Sequence, residues 1–226
     1  YGTAVTNATA ALHMSCLALG VDKGDLVWTV PNSFVASASC ALFCGAEIDF
    51  VDIDINTYNI SIDSLEQKLR EARKKDKVPK VLIPVHFGGQ SCDMEKIEKL
   101  SKEYGFAVIE DASHAIGAKI HNQNVGDCKY SDITVFSFQA VKVITTGEGG
   151  CITTNDKLLY EKCKILRSHG ITKNSKMFKF KSKKKHFTKN SKLLSRKNKY
   201  YQKGSGKGED FLGKLFNKDN GNGIQS

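Results

Sequence analysis

The sequence has no Cys-X-X-Cys pair and no apolar run approaching the ~18 residues that a membrane-spanning helix needs. The first absence leaves no ligand pair at zinc spacing. Seven cysteines, at 16, 40, 44, 92, 128, 151 and 163, are an odd number. Cys40 and Cys44 share one helix face, but no second pair accompanies them. The expectation is free thiols in an apolar setting, a reducing cytoplasm and no metal. No signal-peptide pattern opens the chain at Tyr1. Basic charge is missing from most of the sequence too, although the net charge over 226 residues is +10. Residues 1–170 hold 18 Lys and Arg against 21 Asp and Glu, whereas residues 171–226 hold 16 against 3. That balance argues against a nucleic-acid face on the body of the protein.

What is present is a regular succession of elements. In "TNATAALHMSCLALG", Thr6 or Asn7 can cap a helix that Gly20 is placed to end. "DLVWTV" reads as a strand halted by Pro31, "SFVASASCALFCG" as a helix ending at Gly45, and "IDFVDID" as a strand. An amphipathic helix "SIDSLEQKLREARKK", a strand "KVLIPVHF" and a helix "DMEKIEKLSKEYG" follow. Two apolar strands, "FAVIEDAS" and "DITVFSF", complete the series. This alternation predicts an α/β fold with a mainly parallel sheet covered by helices. The strands show little internal alternation, as burial on both faces requires. Ligands gather at the carboxyl ends of such strands, where His86, Glu110, Asp111 and Ser137 fall. Beyond Gly170 the composition turns Lys-, Asn- and Ser-rich, which predicts disorder with at most a short helical turn at "EDFLGKLF".

Several residues have two readings. Asp111 is either a loop hydrogen-bonder or, with His114 three residues on, a carboxylate able to keep a pyridinium nitrogen protonated. The amino end of the "NATAAL" helix, with Thr9, offers N–H groups and a hydroxyl to a phosphate, as every helix start does in part. Ser137 is a further hydroxyl or an ordinary strand-end serine. Phe34 is core or a flat face for a ring to stack on. Lys142, among Ala, Val and Ile, is a stem crossing a core edge or an amine that an apolar pocket makes nucleophilic.

"NATAAL", "PNSFVAS", "GAEIDFVDID…TYNI", "IPVHFGGQSCDM", "VIEDASHAIGA", "VFSF…VK…TTGEGG" and "RSHGI" occur in this order over residues 1–171. Together they resemble the DegT/DnrJ/EryC1/StrS family of pyridoxal-phosphate-dependent sugar aminotransferases. The resemblance implies the fold type I large domain over residues 1–171. It implies that Lys142 binds pyridoxal 5'-phosphate and shuttles the proton between cofactor and substrate carbons. Asp111 then pairs with the pyridine nitrogen, His114 lies beside the phenolic oxygen and Phe34 stacks on the ring. Ala8, Thr9 and Ser137 would cradle the phosphate. Implied partners are L-glutamate as amino donor, a 4-keto-6-deoxy nucleotide sugar as acceptor and a second copy of the chain. "VHFGGQSCDM" and "VKVITTGEGG" are most similar to the branch that acts on a UDP-linked N-acetyl sugar in pseudaminic acid synthesis.

The resemblance also implies an amino-terminal segment before "YGTAV" and a small carboxyl-terminal domain after "RSHGITKN", neither of which the sequence contains. Gln139-Ala140 stands where relatives carry an aromatic or histidine followed by proline. Residues 172–226 match nothing in the family and read as a disordered or out-of-frame tail. Two other readings follow: a non-catalytic remnant that still binds cofactor, and nucleic-acid binding through the Lys-rich tail.

Overall fold

Helix starts are fixed by short polar side chains in this chain. Asn7 Oδ1 accepts the Ala10 amide (2.8 Å) and opens α1, Ala8–Ala18. Ser61, Asp93 and Asp156 do the same for α3 (Ile62–Lys74), α4 (Met94–Tyr104) and α5 (Lys157–Arg167), while α2 (Ala36–Phe43) has no side-chain cap. Gly105 closes α4 at φ +82°, a left-handed conformation that glycine adopts without strain. The carboxyl end of α1 is covered by two ammonium groups from elsewhere in the chain. Lys162 Nζ lies 2.6 Å from the Ala18 carbonyl and Lys80 Nζ 2.5 Å from that of Gly20.

A computed structural model describes residues 1–171; the tail, and every expectation placed on residues 172–226, lie outside the described residues. The strands are β1 (Gly2–Val5), β2 (Leu26–Thr29), β3 (Glu47–Phe50), β4 (Val81–Leu82), β5 (Ala107–Asp111), β6 (Lys119–Ile120), β7 (Gln123–Asn124), β8 (Ile133–Ser137) and β9 (Gly150–Thr153). Seven form one sheet in the order β1-β9-β8-β5-β4-β2-β3, and β6 pairs with β7 apart from it. Strands β3, β2, β4, β5 and β8 run parallel; β9 is antiparallel to both β8 and β1. The expected mainly parallel sheet is therefore present. Sequence reading missed β1, β9, the β6–β7 pair and α5. It also overextended "KVLIPVHF", in which only Val81–Leu82 is strand and Val85 bridges to Asp111.

The two-residue period of a strand sends alternate side chains to opposite faces. Val81, Ile83, Ile109, Ile133 and Val135 pack with α1, α2 and α5 residues such as Leu12, Cys40 and Cys163. Leu82 and Val108 pack with Leu65, Leu69, Met94 and Ile97 on α3 and α4. Two residues on from Ile109 and Val135, the same parity directs Asp111 and Ser137 to the α1–α2 side. Glu110 and Thr134 go to the other face. Among the described residues no helix is long and apolar enough to cross a membrane.

Candidate active site

Asp111 ends β5 and is 4% exposed. A carboxylate this deep needs donors, and the fold supplies three hydrogen bonds. Ser37 Oγ, from the first turn of α2, donates to Oδ2 at 2.6 Å, and Ser113 donates to Oδ1 through Oγ (2.6 Å) and its amide (3.1 Å). Ser37 in turn lies 2.6 Å from Ser33 Oγ, and its amide bonds the Phe34 carbonyl. The "PNSFVAS" segment thus ties Phe34 to Asp111 through backbone and hydroxyl. Phe34 itself is 74% exposed. Of its two readings, core is excluded, and an aromatic face stands open.

At the amino end of α1, Asn7 satisfies the Ala10 and Ala11 amides through its side chain and its carbonyl. That leaves the amides of Ala8 and Thr9 and the Thr9 hydroxyl without partners among the described residues, at the positive end of the helix dipole. Gly150, in β9, presses against this point. A β-carbon on it would lie 2.6 Å from the Asn7 carbonyl carbon and 2.8 Å from the Ala8 nitrogen. Across the ladder Gly150 pairs with Ser137, which brings the helix start and that hydroxyl together. Ser137 Oγ accepts the Gln139 amide at 3.5 Å, and the Gln139 carbonyl accepts the Lys142 amide at 2.9 Å.

Lys142 is therefore held on a turn that starts at the Ser137 end of β8. It is half-buried, flanked by Val141 and Val143 that are 81% and 74% exposed. Of the two readings of Lys142, the side chain is half-buried between exposed neighbours rather than enclosed by an apolar pocket. His114 follows Asp111 by one turn, exposed, and its charge is set by both of its neighbours. Partial burial and then the Lys142 ammonium push its pKa down, against an upward pull from Asp111. Amine, imidazole and carboxylate thus share one electrostatic neighbourhood. Gly89, with φ +88°, packs against the His114 backbone; a β-carbon there would meet the His114 carbonyl oxygen at 2.7 Å.

Behind Asp111, on the opposite face, lies a buried polar network that sequence reading left unassigned. His86 Nε2 is 2.8 Å from Glu110 Oε2, and Ser131 and Thr134 donate to Oε1. Burial works to raise the Glu110 pKa, but the bonds from His86, Ser131 and Thr134 outweigh it and hold it below the usual range. Burial works to lower the His86 pKa, but its interactions with Cys92 and then Glu110 outweigh that and draw the ring toward the imidazolium. However, the Cys92 amide points at Nδ1 (3.1 Å) and needs its lone pair, so the ring carries its single proton on Nε2. His86 and Asp111 are also joined through backbone, His86 N to Asp111 O at 3.1 Å. Ser37, Ser113 and Gly150 were likewise missed; "NSFVAS", "DAS" and "GEGG" held them, but only their three-dimensional placement marks them. An open polar groove of about 660 Å³, lined by Asp54, Asn59, Gln90, Lys96 and His121 among others, touches none of the expected site residues. It is lined mostly by exposed and half-buried residues.

Comparison with known proteins bears on this arrangement. The chain is 42% identical over 169 residues to the Campylobacter jejuni UDP-4-amino-4,6-dideoxy-N-acetyl-beta-L-altrosamine transaminase, covering 75% of this chain and 43% of that one. It is 40% identical over 171 residues to the Escherichia coli O157:H7 GDP-perosamine synthase, covering 76% and 45%. An aminotransferase structure from Psychrobacter cryohalolentis superposes with a TM-score of 0.70 at 37% identity, covering 75% and 41%. The Bacillus subtilis protein NtdA, solved with bound cofactor PMP, does so at 0.64 and 32%, covering 73% and 35%. The chain thus spans less than half the length of these relatives. The model of the DegT/DnrJ/EryC1/StrS aminotransferase family matches residues 1–195, past the expected limit of the resemblance at residue 171, and to that family this chain belongs.

Proposed function

We propose that residues 1–171 are the cofactor-holding part of an aminotransferase that moves an amino group from L-glutamate to a 4-keto-6-deoxy nucleotide sugar. The observation that carries this reading is the placement of Asp111, a buried carboxyl group held by three donated hydrogen bonds at the end of β5, in a chain of this aminotransferase family. The residues fit pyridoxal phosphate on independent grounds. Two unpaired amides and a hydroxyl at Ala8 and Thr9 stand beside Ser137, across a glycine whose side chain would fill the gap. Phe34 offers an exposed ring, and the three bonds donated to Asp111 fix its carboxyl group at the strand end, where a ring nitrogen could face it.

When bound, pyridoxal phosphate supplies an aldehyde for amines and an electron-withdrawing ring. The chain's own groups do the rest. Asp111 would pair with the ring nitrogen, and Lys142 Nζ would be the attachment point and the base that carries a proton. Ala8, Thr9 and Ser137 would anchor the phosphate, and His114 would lie beside the phenolic oxygen. A second subunit would cover Phe34, Val141, Val143 and Ile144, an exposed apolar group around the site. A UDP-linked N-acetyl sugar is the favoured acceptor, in keeping with the Campylobacter relative; the Escherichia coli relative acts in a GDP-linked series.

The test is borohydride reduction of the purified chain with pyridoxal phosphate, followed by peptide mapping. Label concentrated on Lys142, and lost in Lys142→Ala, is the expected result. Label spread over surface lysines, or none, overturns the assignment. Incubation with glutamate and either UDP- or GDP-linked keto-sugar then separates the acceptors.

A further inference from the structure

Residues 110 and 111 are neighbouring carboxyl groups on β5 that face opposite ways, and both are buried, at 3% and 4% exposure. Asp111 faces the proposed cofactor site. Glu110 faces the other side of the sheet, where His86 Nε2 lies 2.8 Å from one of its oxygens and the Ser131 and Thr134 hydroxyls donate to the other. Apolar side chains of the same size would stabilise such a position as well or better, because a buried ionisable pair carries a desolvation cost. What the pair adds is direction.

The backbone shows where direction is wanted. The β4–β5 ladder is regular only at Val81 and Leu82, opposite Ala107 and Val108. It lapses at Pro84, whose carbonyl accepts the Asp111 amide at 2.9 Å but which has no amide hydrogen to return. It resumes as a single bridge between Val85 and Asp111, closed by the His86 amide on the Asp111 carbonyl at 3.1 Å. Asp111 therefore sits where the ladder on that edge is thinnest. At this point the Glu110 side chain reaches both ways, to His86 on the β4 side and to Ser131 and Thr134 on the β8 side. The imidazole is itself fixed, since Nδ1 accepts the Cys92 amide at 3.1 Å. The His86 carbonyl also accepts the Gly89 amide at 3.1 Å, which starts the turn that packs Gly89 against the His114 backbone.

We propose that His86 and Glu110 are positioning residues, a brace behind the site that holds the Asp111 carboxyl group, and with it the His114 backbone, where the cofactor ring is received. This rests on the reading of Asp111 as the partner of the ring nitrogen. Neither residue of the brace meets cofactor or substrate; each acts through backbone that it shares with Asp111.

The brace is tested first without cofactor. In the unaltered chain, nitrogen-15 NMR should find the His86 ring protonated at Nε2, with that proton exchanging far more slowly than the ring protons of exposed His121. An Nδ1-protonated ring, or an Nε2 proton that exchanges as fast as those of His121, overturns the proposal with no variant involved. In Glu110→Ala, the amides of Ser113 and His86, which donate to Asp111 Oδ1 and to its carbonyl, should exchange at least about tenfold faster, as for one lost buried hydrogen bond. Glu110→Gln should restore both, because its carboxamide oxygen accepts from His86 while its amino group donates to the two hydroxyls. Leu65→Ala opens a cavity in the core on the same face of the sheet and should leave both amides slow. Equal quickening in Leu65→Ala and Glu110→Ala would show that the pair supports the fold and not the carboxyl group. Thr134→Val withdraws one donor and keeps the shape; it should give the same changes in smaller measure, and unchanged amides there overturn the brace even where Glu110→Ala does not fold. With pyridoxal phosphate, borohydride labelling of Lys142 should require about tenfold more cofactor in Glu110→Ala and close to the ordinary amount in Glu110→Gln. Labelling that is normal in the unaltered chain and unchanged in Glu110→Ala overturns the brace. Labelling absent from the unaltered chain overturns the proposed function instead, and the exchange rates then decide the brace on their own.

Discussion

Replacing Gly150 by alanine probes the contact that sets β9 against the start of α1. The added carbon would lie 2.6 Å from the Asn7 carbonyl carbon, 0.8 Å inside the 3.4 Å at which ordinary contact begins. Both of its nearest neighbours are backbone, so no side chain can swing aside. Nor can the strand retreat, because β9 is hydrogen-bonded to β8 on one edge and β1 on the other. Overpacking of this kind costs about 1–3 kcal/mol. For a domain of this size that corresponds to a melting temperature lower by about 2–12 °C. The displacement also parts the Ala8 and Thr9 amides from Ser137, so borohydride labelling at Lys142 should need more pyridoxal phosphate in Gly150→Ala. Gly2→Ala is the matched control, since its β-carbon would meet nothing nearer than Cys151 Sγ at 4.0 Å. Thermal unfolding by circular dichroism compares the two. If Gly150→Ala melts with Gly2→Ala and labels at the same cofactor concentration, the strand–helix contact does not shape the site.

Two further predictions concern protons. Glu110 is held below its ordinary pKa of 4.5 in the folded chain, so in acid the unfolded chain binds more protons than the folded one. Its contribution is complete above that ordinary value and lost as the pH falls through the lowered one; urea titrations should show an acid slope that is shallower in Glu110→Gln. His114 is pushed down from 6.5 by burial and by Lys142, so Lys142→Ala should raise its titration midpoint in a proton NMR experiment. An unmoved midpoint would place the lysine away from the imidazole.

Much of the central sheet can be read from the sequence because β2, β5 and β8 are apolar runs ended by turn or polar residues. The same holds for α3 and α4, whose apolar stripes and Ser61 and Asp93 caps are local signals. What escaped is non-local. Gly2–Val5 and Gly150–Thr153 are strands because they pair with each other across almost the whole described chain, and neither has a distinctive pattern. The site divides in the same way. Asp111, His114 and Ser137 stand at strand ends that the sequence reveals. Ser37 reaches Asp111 from 74 residues away, and no spacing rule connects them. The short extent of β4 also has a physical cause: Pro84 has no amide hydrogen to give to a ladder.

The helix that opens the chain is treated asymmetrically at its two ends. Two ammonium groups rest on carbonyls at and just past its trailing end, at Ala18 and Gly20, while its leading amides at Ala8 and Thr9 have no partner among the described residues. An anion docking in front would therefore complete a row of alternating charge, negative, then helix, then positive, in which each member steadies the next. Lys80 and Lys162, at the far end of the helix from the proposed cofactor site, would then contribute to how firmly a phosphate is gripped without coming near it.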